Sequence, residues 1–184
     1  MTTQTQNVNG IDLDSVGQLV EQIKNDKAKG FVRFKVATAW KGQTQTETHV
    51  KSLVWDGVEV PRDFSIVTDE PPHLFGQNTA ANPQELLMAA FNACIMVGYV
   101  ASAAVMGVTL ENVEIETEGE LNLRGFLGID ESIKPGYDSI QYRVRLTGNG
   151  TRAQYQAIHG QVLKTSPNYF NISQAIRVDA TLAE

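Results

Sequence analysis

The chain has 184 residues, 42% of them hydrophobic and 20% charged, a length and balance that suit one ordinary globular domain with a core of its own. Fifteen basic against twenty-one acidic residues give a net charge of −6, and the basic residues form no cluster, so a nucleic-acid partner is not expected. A single cysteine excludes an internal disulfide framework and fits a reducing compartment; with a polar, uncharged N-terminus that shows no signal peptide, the expected location is cytoplasmic.

In chain order, residues 1–10 read as a disordered lead-in. Residues 11–30 read as an amphipathic helix: Leu13, Val16, Val20 and Ile23 recur at helical spacing, Asp12 suits the N-cap and Gly30 lies past the end. Residues 31–184 are expected to form a single α+β domain. Val32, Phe34, Val36 and Trp40 predict a first strand, Lys41-Gly42-Gln43 a turn, and Gln45–Trp55 a return strand. Phe64 and Ile66 predict a third strand, stopped by Pro71-Pro72, and a Gly/Asn-rich loop follows. Asp69-Glu70 is a candidate carboxylate pair, although an acidic dipeptide before proline more often simply forms a turn.

Asn82 to Gly107 is the dominant segment. From Leu86 to Met106 only Asn92, Gly98 and Ser102 are not apolar. Asn82 suits the N-cap, Pro83 the first turn and Gly107 the C-terminal stop. The apolar length would suit a membrane span, but the stretch is alanine-rich and lacks flanking Lys or Arg, so no membrane partner is expected. An all-round apolar helix is then one buried on all sides, in a domain centre or an intimate dimer. Val113, Ile115, Thr117, Leu121 and Leu123 alternate with glutamates, and Ile140, Tyr142, Val144 and Leu146 alternate with Arg143 and Arg145. Paired antiparallel, these strands would match their outward charges. Phe126 and Leu127 make the long connection between them a candidate binding or interface element. Tyr155, Ile158 and Val162 predict another helix, and Ile176, Val178, Ala180 and Leu182 a final strand.

Phosphate-loop, dinucleotide, zinc-protease and serine-hydrolase motifs are absent. His49, His73 and His159 are scattered, so no metal site is expected, and each reads as solvent-facing or hydrogen-bonded. Cys94 is the one candidate nucleophile. Its bland reading is a small core hydrophobe. Yet Ala90, Gly98 and Ala101 line its helical face, leaving room for a close helix partner or a small ligand. Apolar surroundings keep a thiol protonated, so reactivity there requires a cation or a strong donor from elsewhere.

The run "NPQELLMAAFNAC", Asn82 to Cys94, with "DEPPHLFGQNTAANP", "LRGFLGIDESIKPGYDSI" and "TSPNYF", resembles the OsmC/Ohr family of osmotically inducible and organic hydroperoxide resistance proteins, in an OsmC-like branch. The similarity runs in order over about residues 31–182. It implies antiparallel sheets around a long buried central helix, in an intertwined homodimer with two sites at the subunit interface. The implied activity is thiol-dependent reduction of organic hydroperoxides in an oxidative stress response, with Cys94 at the peroxidatic position and no cofactor beyond an external thiol reductant. Ser166 stands before Pro167 where the family's peroxidases have a resolving cysteine, and Gln84 stands where they have a glutamate, with Glu85 a shifted substitute. Nine residues separate Glu85 from Cys94, ~13.5 Å along a continuous helix and roughly the opposite face, so the two would meet only across a dimer or a broken helix. As an ordinary residue, Glu85 would serve the helix N-terminus. The family's active-site arginine has no clear match in this sequence; Arg33 and Lys41 lie in the neighbourhood where it would stand. Phe91, Gly98 and a partner's Phe126 are expected to line an apolar substrate pocket.

Three readings follow: a one-cysteine peroxidase, a non-catalytic dimer holding a small apolar ligand at its interface, or a dimer in which Cys94 is structural.

Overall fold

The computed structural model describes residues 7–183, and its chain divides into two compact units, residues 12–87 and residues 7–11 with 88 onward. The expected lead-in falls partly on residues 1–6, outside those described. Its remainder is structured. Asn7–Val8 (β1) and Ile11–Asp12 (β2) pair through Asn9 and Gly10, both at positive φ, as a type I′ turn requires. Asn9 then uses its whole amide, donating to the Val108 carbonyl and accepting from the Leu110 N–H, each at 2.9 Å.

The first unit begins with Leu13–Asn25 (α1), N-capped by Asp12, whose carboxylate accepts from the Asp14 and Ser15 N–H groups. A 3₁₀ turn at Lys27–Gly30 follows. The sheet is built around Gln45–Trp55 (β5). The strand expected at residues 32–40 is divided into Val32–Phe34 (β3) and Ala37–Gly42 (β4), which pair in succession along one edge of β5. Val58–Thr68 (β6) pairs along the other edge through an Asp56-Gly57 turn, again with both residues at positive φ. Phe34, Trp40, Val58, Phe64 and Val67 remain exposed on this sheet.

Pro83–Val105 (α2) has local ends that match its sequence. Asn82 and Glu85 form a reciprocal cap, each side chain accepting from the other's backbone N–H at 2.8 Å. At the far end Gly107 adopts φ 68°, its N–H donates to Ala104, and the Val108 N–H donates to Ala103, a Schellman closure. Within the single chain the burial is one-sided: Phe91, Ile95, Tyr99, Ala103 and Ala104 are buried, while Leu87, Val97 and Val105 are exposed, so the chain alone does not enclose the helix on all sides. Apolar composition alone carries no phase, so it could not separate one buried face from two. By length and apolarity α2 would also suit a membrane span, yet its buried residues belong to the second unit's core.

That core lies in the second unit, against Leu110–Leu121 (β7) and Tyr137–Gly148 (β8). The strands are antiparallel, with Glu114 opposite Arg145 and Glu116 opposite Arg143; the first pair is an ion pair at 3.0 Å on the outer face. Between them Leu123–Phe126 (α3) opens the long connection. Arg152–Thr165 (α4) starts on a Thr151/Gln154 capping box and sends Ile158 and Val162 into the core. Pro167–Ser173 (α5) follows. The final strand expected at Ile176–Leu182 is not formed. Residues 175–183 have no regular secondary structure, and Ile176, Val178 and Leu182 are exposed. Among the described residues the alternation there has no strand beside it to complete a ladder.

Candidate functional site

Cys94 lies at the midpoint of α2, in the second unit, and its side chain is partly exposed. Its sulfur faces Ser166, with Sγ and Oγ 3.5 Å apart. Ser166 is 6% exposed and sits at the junction of two helices. Its N–H closes α4 by donating to Val162 O at 2.9 Å, and its Oγ caps α5 by accepting from the Tyr169 N–H at 3.3 Å. Pro167 fills the first position of α5, where its fixed φ and missing N–H cost nothing. Asn168 then donates its side-chain amide to the Ala90 carbonyl at 2.9 Å, one turn before Cys94. The segment Ser166-Pro167-Asn168 thus grips the turn of α2 that carries the sulfur.

Gly98 explains how α4 comes so close. A Cβ there would stand 3.3 Å from a methyl of buried Val162, so the glycine is filled space and not an open pocket. At Gly98 the room is taken by a close helix partner within the chain. Phe91 is also a core residue, 4% exposed and edge-on to Tyr142 with ring centroids 5.5 Å apart. Phe126 is 58% exposed on α3, beside exposed Leu123, Leu127 and Ile129. Phe91, Gly98 and Phe126 therefore do not form one pocket within the chain. Gly125, next to Phe126, allows the Ile133 and Lys134 carbonyls to approach where a Cβ would clash, so the loop is tightly folded under its apolar tip.

α2 is unbroken from Pro83 to Val105, and Glu85 spends its carboxylate on the Asn82 N–H. Its role in the described chain is that of a cap. Lys41 belongs to the first unit and pairs with Glu47 at 2.7 Å; Arg33 lies on β3 of the same unit.

Other polar residues singled out by sequence have structural partners. Asp69 is 1% exposed and organises the loop before α2. Its carboxylate accepts from the Thr44 and Thr79 hydroxyls and from the N–H groups of Glu70, Gln77 and Thr79. The Thr44 bond foremost, with those from Thr79 and Glu70, holds it well below the usual carboxylate range. Burial pushes Glu70 upward, and the charges of Asp69 and Glu85 add to that. In the second unit Tyr99, fully buried, bonds the Nδ1 of His159, and burial raises its phenol. Asn92, the one amide mid-way along α2, is bonded to the Thr117 hydroxyl. Among the described residues no group of three His, Cys, Asp or Glu side chains is placed to hold a metal ion. Asn168 stands inside the "TSPNYF" run, but nothing in the sequence ties it to the turn before Cys94, because its partner is a backbone carbonyl distant in the chain.

No curated protein matches this sequence. Among solved structures, an OsmC like protein from Mycoplasma pneumoniae aligns over 77% of this chain and 87% of its own, at 13% identity and TM-score 0.60. An OsmC-like protein of unknown function from Vibrio cholerae aligns over 74% and 91%, at 15% identity and TM-score 0.56. An osmotic stress induced and detoxification response protein from Psychrobacter arcticus aligns over 73% and 84%, at 13% identity and TM-score 0.55. At such identities the likeness is one of fold. The OsmC-like protein family model matches residues 76–181, a span from the loop before α2 through Cys94 and Ser166 into the C-terminal segment, and on that match the chain belongs to the OsmC-like family.

Proposed function

We propose that the protein reduces organic hydroperoxides as a one-cysteine thiol peroxidase in an oxidative stress response. The observation that carries this reading is Cys94 itself: a partly exposed thiol, faced by a buried hydroxyl, at the family's peroxidatic position. The Cys94 thiolate attacks the distal oxygen of ROOH, the O–O bond breaks, and the alkoxide leaves as ROH after taking a proton. Cys94 is left as sulfenic acid. An external thiol condenses with it, releasing water and forming a mixed disulfide. A second external thiol then displaces Cys94 and carries away the disulfide. Ser166 has no sulfur to take the resolving step, so the reductant must come from outside.

A homodimer is part of the proposal. The exposed apolar face of α2, the bare apolar side chains of the first unit's sheet and the Phe126 loop are surfaces that a second copy would cover. A partner's Phe126 beside Cys94 would favour an apolar alkyl group on the hydroperoxide. The same exposed apolar loop favours a second reading, in which the dimer interface holds a small apolar ligand and Cys94 only lines it.

Treatment of reduced protein with one equivalent of cumene hydroperoxide, followed by dimedone and intact-mass measurement, separates these readings. The peroxidase reading predicts one dimedone adduct in the wild type and none in C94S. Reaction no faster than that of free cysteine, with an apolar molecule retained in native mass spectra, would replace it with the ligand-binding reading. Size-exclusion with light scattering is expected to give about twice the 20.2 kDa chain mass; a monomer would remove the interface from the account.

A further inference from the structure

We propose that Ser166 is the hydrogen-bond donor that holds the Cys94 sulfur in its ionised form, and that Asn168 and Gly98 are the positioning residues that aim it. The inference rests on Cys94 acting as a reactive thiol. It supplies the strong donor that an otherwise apolar helix face requires.

The direction of the contact follows from chemistry. Between two neutral groups, either the thiol or the hydroxyl can donate. An ionised sulfur has no proton, so in the thiolate only Ser166 can donate. A hydrogen bond to a charged acceptor is stronger than one between neutral groups, so the pair favours the thiolate over the thiol. Ser166 is free to play this part. Its oxygen already accepts from the Tyr169 N–H at 3.3 Å, and its own proton has Cys94 Sγ as its acceptor among the described residues. Accepting one bond also polarises the hydroxyl and strengthens the bond it gives.

The hydroxyl is aimed before any substrate arrives. Ser166 ends α4 through Val162 O and caps α5 through Tyr169, so both its backbone and its side-chain rotamer are set by helix termini. Two contacts fix that junction on α2. Four residues before Cys94, the Ala90 carbonyl takes the Asn168 amide; four residues after it, Gly98 admits Val162, itself four residues before Ser166. Gly98 against Val162 and Cys94 against Ser166 are therefore successive rungs of one antiparallel helix contact. A wider residue at 98 would hold the serine off the sulfur.

The chain has one cysteine, so iodoacetamide reads Cys94 alone. Alkylation rates of the full-length wild type, S166A, S166G and S166T at pH 7 and at pH 10 test the proposal. Threonine keeps both the cap and the donor. Glycine is tolerated at a helix N-cap nearly as well as serine but has no hydroxyl and adds no charge. The expected result is a roughly tenfold slower alkylation at pH 7 for S166A and S166G, convergence of all four proteins at pH 10, and wild-type behaviour for S166T. Wild-type rates at both pH values in S166A and S166G would overturn the proposal and leave Ser166 a cap only. Cumene hydroperoxide is assayed separately on the same samples. A serine-dependent alkylation rate in a protein inert to hydroperoxide would sink the peroxidase reading while the donor role stood.

Discussion

Replacing Ser166 by cysteine tests the central contact of the site most sharply. Cys94 Sγ and Ser166 Oγ are 3.5 Å apart across 72 residues of chain. A sulfur in place of that oxygen lies on a longer bond and stands beside the Cys94 sulfur. On hydroperoxide treatment of S166C, Cys94 becomes sulfenic acid, the thiol at 166 attacks it, water leaves, and an intrachain disulfide remains. Cross-linking a loop of this length removes about 15 cal/mol/K of unfolded-chain entropy, a stabilisation of about 4 kcal/mol at 25 °C. For a chain of this size, that raises the melting temperature by roughly 10 °C. The assay is non-reducing intact mass, which should show loss of two hydrogens per chain, with calorimetry of oxidised and reduced samples. A folded S166C whose two thiols both stay free after oxidation, or whose disulfide is purely intermolecular, would refute the placement of α4 and α5 against Cys94.

The other predictions concern the supports of that site. Ile95→Ala removes a fully buried side chain beside Cys94 and should cost about 2–5 kcal/mol, read as a lower urea midpoint. Glu85→Ala breaks the reciprocal cap with Asn82 and should cost about 0.5–2 kcal/mol by the same measurement; a change below that range would mean the cap is not made in solution. Asp69 has its carboxyl depressed in the folded protein, so its stabilisation is full above the unfolded value of ~3.9 and is lost as pH falls toward the folded one. Both tryptophans, Trp40 and Trp55, lie in the same unit, so an acid titration of their fluorescence should show an unfolding limb that D69N flattens. An unchanged acid limb in D69N would assign it to other groups.

How much of this was legible follows the range of each interaction. The ends of α2 could be read because capping is local: Asn82, Pro83 and Gly107 do their work within one turn of themselves. The pairing of β7 with β8 was legible for a different reason. Glutamates on one strand and arginines on the other marked the same outward face, and the observed register sets them opposite each other. The hairpin at Asn9-Gly10 carried a strong turn signal that a polar N-terminal run concealed. The C-terminal alternation at Ile176–Leu182 described a face without providing a neighbour, and a strand needs both.

The site itself shows the same division. Small residues around Cys94 could be read as space, and the choice between a ligand and a helix in that space required Val162, which lies 64 residues beyond Gly98. Ser166 was identified through resemblance, and its reach to the sulfur is a tertiary fact. Asn168 lies in the same run, and its bond to a backbone carbonyl left no pattern linking it to Cys94.

The measurement that tests the account most directly is the rate at which reduced, full-length protein consumes cumene hydroperoxide, set beside hydrogen peroxide, with and without an external dithiol. The account predicts a reaction much faster than that of free cysteine, preference for the organic peroxide, one equivalent consumed per Cys94 without dithiol, and sustained turnover with it. Consumption at the rate of free cysteine, indifferent to dithiol and unchanged in C94S, would contradict it.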